Sequence, residues 1–287
     1  MEFRTPVDIT SPTFAIQPDD ELLFLGSCFA GNIGQRFQQR RLRVTVNPRG
    51  TMYNPASILH TLELCPELSP RVAFLTLGTN HVYRLRQTGQ IVDNCEKRPA
   101  QLFVEQRLGV DECTAYLQQC VSLLRCRRSD VQVVFTVSPI RYRKYGYHES
   151  QLSKATLLMA IDRLLEHERS GQTPKVTHAS AGPDAVTAST LSYFPAYEIV
   201  LDELRDYRFY QPDMLHPSEQ AVDYIWEKLA QHYFSDRMRD YLSEWQPIAS
   251  ALQHRPFDPE NPDYKLLMAR TEEKIEAMKR KYPWFGI

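Results

Sequence analysis

The sequence lacks most of the features that would assign a class at once. No apolar run approaches the roughly 18 residues needed to span a bilayer, and none is expected to do so. Charge of neither sign dominates. The formal net charge of -1 argues against a general nucleic-acid or anionic-membrane role, which would show a basic excess. The six cysteines (Cys28, Cys65, Cys95, Cys113, Cys120 and Cys126) include no Cys-x-x-Cys pair and no Cys/His cluster at zinc spacing, so no metal is expected. They fit reduced thiols of a cytoplasmic protein, several of them simply small core residues. The opening residues, Met1-Glu2-Phe3-Arg4-Thr5-Pro6, form no apolar signal region, so the expected location is cytoplasmic. Internal repeats and low-complexity tracts are absent as well. What is present is ordinary for a globular chain: 43% hydrophobic and 24% charged over 287 residues, enough for one generous core and a modest extension.

The hydrophobic pattern supplies the architecture. Leu22-Leu23-Phe24-Leu25 is a short continuous apolar run, as in a strand covered on both faces. Gly26-Ser27 breaks it, and Phe29, Ile33 and Phe37 then recur at the spacing of one buried helix stripe. A helix over about 30–41, a short strand at 43–46 and a turn at Asn47-Pro48-Arg49-Gly50-Thr51 follow. Asn54-Pro55 opens a second helix. Strands are expected at 72–77, ending in Gly78-Thr79-Asn80, and at 131–137, ending in Ser138-Pro139. Helices are expected over 111–126 and over 153–168, the latter with Ala155, Leu158, Met159, Ile161, Leu164 and Leu165 inward. Beyond a loop at 171–186, the pattern gives a strand within 187–194, a helix over 197–207, and an amphipathic helix after Pro217 carrying Val222, Ile225, Trp226, Leu229 and Tyr233. The composition turns polar from about 236, and 265–281 has helical spacing. Apolar strands alternating with helices indicate a mainly parallel sheet between helix layers, so the expectation is an α/β unit over 1–235 and a helical C-terminal arm over 236–287.

Chemistry enters at the strand ends. Ser27 falls at the carboxyl end of a strand and the amino end of a helix, where open α/β sheets bind ligands and where the helix dipole favours negative charge. A serine before a helix is most often only an N-cap. The late segment Asp213-Met214-Leu215-His216-Pro217 adds to the case. An Asp three residues before a His can fold back, accept from the ring Nδ1–H and leave Nε2 as a base. A serine hydroxyl needs such a base. Cys28 is a second possible nucleophile, since thiols at helix N-termini are activated, although its side chain is expected to point inward. The loop Arg141-Tyr142-Arg143-Lys144-Tyr145 suits an anionic or sugar ligand, or base stacking, and equally a solvated loop.

Gly26-Ser27-Cys28-Phe29-Ala30 spells the motif that names the GSCFA-domain family, a branch resembling the SGNH (GDSL-like) hydrolases. The resemblance covers most of 20–235. It runs through Tyr53-Asn54-Pro55, Asn94-Cys95, Thr136-Val137-Ser138-Pro139, Ser153-Lys154-Ala155, Tyr193 to Ile199 and Asp206 to Tyr210, and ends at Asp213…His216-Pro217. It implies a three-layer α/β/α sandwich of SGNH type and a catalytic set of Ser27 as nucleophile, His216 as base and Asp213 as orienter. It further implies an oxyanion hole from Ser27 N–H, Gly50 N–H and the Asn80 amide, with Gly78, Thr79, His81 and Arg141 as candidate substrate contacts. The first block reads Gly-Ser-Cys where GDSL enzymes have Gly-Asp-Ser, His81 stands where they usually have Asp, and Gly50 is matched by order alone. The implied activity is hydrolysis of a small or carbohydrate-linked ester through an acyl-serine, as in a deacetylase. An O-acyltransferase with the same triad and a non-catalytic binding protein keeping the fold are the alternatives. No metal or organic cofactor is implied, and no nucleic-acid partner.

Overall fold

A computed structural model of the chain describes residues 4–93, 98–171 and 189–285. Strands β1 (Leu22–Gly26), β2 (Val44–Val46) and β3 (Val72–Leu77) begin the main sheet. A separate antiparallel ribbon of β4 (His81–Leu85), β5 (Ile91–Val92) and β6 (Phe103–Arg107) follows. The main sheet resumes with β7 (Gln132–Val137) and β8 (Leu191–Tyr193), giving the order β2-β1-β3-β7-β8 with every pair parallel. β1 is an interior strand, paired with β2 on one side and β3 on the other, and the chain leaves it first to one side and then to the other. The crevice at the carboxyl ends of β1 and β3 is therefore the topological switch point.

Alternate strand residues divide into two cores, as a period of two requires. Leu22, Phe24, Val72, Phe74 and Val134 face α1 (Cys28–Gln39) and, from later in the chain, α6 (Glu219–Tyr233). Leu23, Leu25, Ala73, Leu75, Val133 and Phe135 face the opposite layer, made of α2 (Pro55–Leu64), α3 (Val110–Arg127) and α4 (Tyr147–Arg169). The result is an α/β/α sandwich. In the first core Phe24 stacks on Phe74 at 4.5 Å, and Phe37 meets Trp226 edge-on at 4.7 Å.

Several local expectations change. The ribbon β4–β6 was not anticipated, because its residues are half-exposed and lack a continuous apolar run. Helix α4 starts earlier and is turned: Ser153, Lys154, Leu157, Ala160, Ile161 and Leu164 face inward, while Ala155 and Met159 are exposed. The expected helix over 197–207 is one turn, α5 (Ala196–Glu198), followed by a wider π turn at Ile199–Glu203. There the buried Glu203 carboxylate accepts from Val7 N–H at 2.6 Å, from Lys228 Nζ at 3.1 Å and from the Tyr224 hydroxyl. The polar C-terminal stretch holds two helices, α7 (Asp236–Gln253) and α8 (Pro262–Lys281). Asn94-Cys95 and nearly all of the loop at 171–186 lie outside the described residues.

Candidate active site

The turn from β1 into α1 is set by backbone sterics. Gly26 has φ +133°, and a Cβ there would lie 2.0 Å from the Thr76 carbonyl oxygen. Only glycine allows β1 to approach β3 that closely while the chain turns. The Asn47 side chain accepts from Gly26 N–H at 2.9 Å, so the turn after β2 braces it from the other side. Ser27 is the N-cap of α1: its Oγ accepts from Phe29 N–H at 3.2 Å. It is buried, and its hydroxyl donates to Ser138 Oγ at 2.9 Å. The capping role and a place at the switch point thus coincide in one residue.

His216 sits on a tight loop that returns on itself, with Tyr210 bridging to Pro217 and Gln211 N–H donating to His216 O at 2.8 Å. Asp213 Oδ1 accepts from the backbone N–H groups of Leu215 (2.9 Å) and His216 (3.0 Å). Its Oδ2 lies 2.5 Å from His216 Nδ1. These hydrogen bonds, the backbone pair first, hold the Asp213 carboxyl at about 2, below the usual 3.8. A carboxylate can only accept, so Nδ1 carries a proton, and in the neutral ring this leaves the lone pair on Nε2. Arg141 ties this loop to the segment after β7: its N–H donates to Leu215 O at 3.0 Å and Nη1 to Met214 O at 3.1 Å. Its guanidinium lies over the Tyr147 ring at 4.3 Å, a contact that favours Arg over Lys.

Ser27 and His216 open onto one cavity of about 250 Å³, whose walls include Cys28, Tyr53, Gly78, Ser138 and Leu215. The basic and aromatic loop supplies its far side through Arg141, Tyr142, Arg143 and Lys144. Cys28 Sγ lies 3.7 Å from the Tyr53 hydroxyl. Of the nucleophile, base, oxyanion and substrate-contact candidates from the sequence, Ser27, Gly78, Arg141 and His216 line the cavity, with Asp213 bonded to His216, and Cys28, expected to point inward, is half-buried and lines it as well.

The remaining four are placed elsewhere. Gly50 is exposed, with φ +91°, and its N–H closes the 47–50 turn onto Asn47 O at 2.8 Å. Asn80 is buried and donates through Nδ2 to Leu108 O at 2.7 Å, while its N–H donates to Ser153 Oγ at 2.9 Å. Thr79 Oγ1 bonds Ser153 Oγ at 3.0 Å. His81 begins β4, pairs with Glu105 at 3.0 Å and stacks on Tyr145 at 3.9 Å. Burial lowers the His81 pKa, against the opposing effect of Glu105. Ser27 N–H itself donates to Thr76 O at 3.2 Å.

Two residues without an assigned role in the sequence stand directly at the site. Ser138 is the hydrogen-bond partner of Ser27. Lys154 is buried beneath it, donating from Nζ to Gly78 O at 2.7 Å and to Ser138 O at 2.8 Å. Burial pushes its ammonium down to about 7. Its signal was available: Lys154 falls in an i, i+3, i+7, i+10 row with Leu157, Ile161 and Leu164, where a lysine requires a polar partner inside. Among the described residues no group of three or more His, Cys, Asp or Glu side chains is arranged to hold a metal ion. No helix among them is long and apolar enough to cross a membrane.

The chain matches the GSCFA family over residues 21–69 and 66–229, and the C-terminal domain of GSCFA domain proteins over 245–287. None of the curated proteins matches it by sequence. Among solved structures, it is similar to a carbohydrate esterase family 3 protein from Talaromyces cellulolyticus at 8% identity and TM-score 0.41, over 74% of this chain and 95% of that one. It is likewise similar to an acetyl-xylooligosaccharide esterase variant from Geobacillus stearmophilus at 11% identity and TM-score 0.40, over 76% and 96%. An acetyl esterase variant with acetate ion aligns at 11% identity and TM-score 0.42, over 74% and 96%.

Proposed function

The chain belongs to the GSCFA family, and from that premise and the geometry of the cavity we propose that it is a serine esterase acting on a small or carbohydrate-linked ester. One observation carries this reading: Ser27 and a histidine whose Nδ1 is engaged by a carboxylate open onto the same cavity. A binding protein needs no such base.

Each group then has one task. Ser27 Oγ attacks the ester carbonyl carbon, and its proton passes to His216 Nε2. Asp213 keeps the Nδ1 tautomer and stabilises the imidazolium that forms. The tetrahedral intermediate collapses, and the departing alcohol takes the proton from His216. Water then attacks the acyl carbon as His216 Nε2 takes one of its protons; the second tetrahedral intermediate collapses, the acid leaves, and Ser27 Oγ takes that proton back from His216. The positive end of α1 favours the negative charge that develops at Ser27. A cavity of about 250 Å³ lies below the usual range of small-molecule pockets, which suits a short acyl group.

The hydroxyl of Ser27 donates to Ser138 in this structure, so catalysis includes a rotation of that hydroxyl toward His216. Labelling with a fluorophosphonate probe, followed by peptide mapping, tests the reading. The expected result is a single adduct on Ser27 that is lost in Ser27→Ala and strongly slowed in His216→Ala. An adduct on Cys28 would move the nucleophile by one residue, and no adduct on folded protein would remove the esterase reading.

A further inference from the structure

An acyl-serine mechanism needs donors for the oxyanion; of the three that the resemblance implied, two backbone N–H groups are already engaged and the third, an amide, lies outside the cavity lining. Ser27 N–H donates to Thr76 O at 3.2 Å and Gly50 N–H to Asn47 O at 2.8 Å. The Asn80 amide, outside the cavity lining, donates to Leu108 O at 2.7 Å.

Ser138 is differently placed. It lines the cavity, is fully buried, and its Oγ lies 2.9 Å from the nucleophilic oxygen. That Oγ accepts twice, from the Ser27 hydroxyl and from Ile140 N–H at 3.3 Å. A serine hydroxyl has two acceptor sites and one proton. Both acceptor sites are occupied, and the proton remains to be given.

Resting on the Ser27 esterase reading, we propose that the Ser138 hydroxyl donates to the oxyanion formed at Ser27, in the role that the sequence assigned to Asn80. When Ser27 Oγ bonds the carbonyl carbon, its proton goes to His216 Nε2 and the carbonyl π pair moves onto the carbonyl oxygen. Ser27 then no longer donates to Ser138. The Ser138 O–H turns to the new negative oxygen, which sits on the same carbon as Ser27 Oγ. On collapse the electron pair returns to the carbonyl, the leaving alcohol takes the proton from His216, and the bond from Ser138 relaxes. No further reactant is required.

The donor is held in place before the reaction, which is what makes such a group effective. Ser138 N–H donates to Leu77 O at 2.8 Å, and its carbonyl receives Lys154 Nζ at 2.8 Å. Pro139 follows it with a fixed φ and no N–H. The same Lys154 amine reaches Gly78 O at 2.7 Å, so the ends of β3 and β7 are pinned to one point. Lys154 is accordingly a positioning residue that acts through Ser138.

The test compares Ser138→Ala and Ser138→Thr with wild type, and with Ser27→Ala, by p-nitrophenyl acetate hydrolysis, fluorophosphonate labelling rate and thermal unfolding. Ser138→Ala is expected to lose about 10²- to 10³-fold in kcat, with KM within about threefold and the labelling rate falling in step. Ser138→Thr, which restores the hydroxyl, is expected to recover most of that loss. Should the alanine variant fail to fold, Ser138→Cys keeps the volume with a weaker donor and is expected at an intermediate kcat. A kcat in Ser138→Ala or Ser138→Cys equal to wild type, with Ser27→Ala inactive, overturns the role of Ser138 and leaves the esterase reading standing. Hydrolysis and labelling that survive in Ser27→Ala overturn the esterase reading itself.

Discussion

The Asp213 carboxylate receives two backbone N–H groups and sits against the His216 ring, so one side chain both shapes a loop and fixes a tautomer. Its ionised form is favoured in the folded state, at about 2 against the usual 3.8. A carboxyl lowered in this way contributes its full support above the unfolded value and loses it as the pH falls through the folded one. The loop is therefore expected to hold down to about pH 4 and to release towards pH 2. Replacing the oxygen that faces the ring by an amide gives the opposite test. Asp213→Asn keeps one acceptor for the backbone but presents N–H groups to Nδ1, favouring the wrong tautomer. A fall in kcat of about 10⁴ at unchanged fold is expected, read by steady-state hydrolysis of p-nitrophenyl acetate alongside circular dichroism.

Helix α4 passes beneath the site and holds it through two neighbouring residues. Ser153 bonds Thr79 and Asn80, while Lys154 bonds Gly78 and Ser138. The lysine has two carbonyl partners, and a neutral amine has two N–H donors, so both carbonyls stay satisfied when the charge is lost. Burial places its folded pKa at about 7 against 10.5 when exposed. Between these values the unfolded chain binds the extra proton, so stability rises with pH by up to about 1.4 kcal/mol per unit. Lys154→Met removes this slope and leaves two buried carbonyls without donors, each costing about 1–3 kcal/mol. Urea unfolding at pH 7, 8 and 9 is expected to show the variant less stable at pH 7 and the gap widening with pH. A constant gap would mean that Lys154 does not titrate in this window.

The C-terminal helices belong to the same hydrophobic core as the sheet. Tyr241, Trp245 and Ile248 of α7 and Met278 of α8 join Phe37, Trp226 and Phe234 in one cluster. The Tyr241 hydroxyl donates to Arg40 O at 2.6 Å and Trp245 Nε1 to Gln39 O at 3.2 Å. These contacts satisfy carbonyls at the end of α1, the helix whose other end carries Ser27. Trp245 also meets Phe285 edge-on at 5.5 Å. Trp245→Ala is expected to cost about 3–5 kcal/mol of stability, measured by urea unfolding. Fluorophosphonate labelling of Ser27 well below the unfolding transition is expected to be unchanged, since the cavity walls do not include α7.

The strands β1, β3 and β7 and the helices α1, α3 and α6 were legible in the chain itself, as were the place of Ser27 between β1 and α1 and the contact of Asp213 with His216. Continuous apolar runs, a helical stripe and an i, i+3 spacing are local patterns, and local patterns survive without tertiary information. Asn80, Gly50, Ser138 and Lys154 were not legible in the same way. Whether an amide faces a cavity or a neighbouring carbonyl depends on which segments pack against it, here Leu108 and Ser153 from far along the chain. Ser138 meets Ser27 across 111 positions of sequence, just past the end of β7, which β3 separates from β1. Side-chain type and spacing determined the sheet, the turn that carries Ser27 and the contact of Asp213 with His216; the rotation of α4 and the path of the loop after β3 were decided by long-range packing, which alone sets the direction in which a buried polar group points.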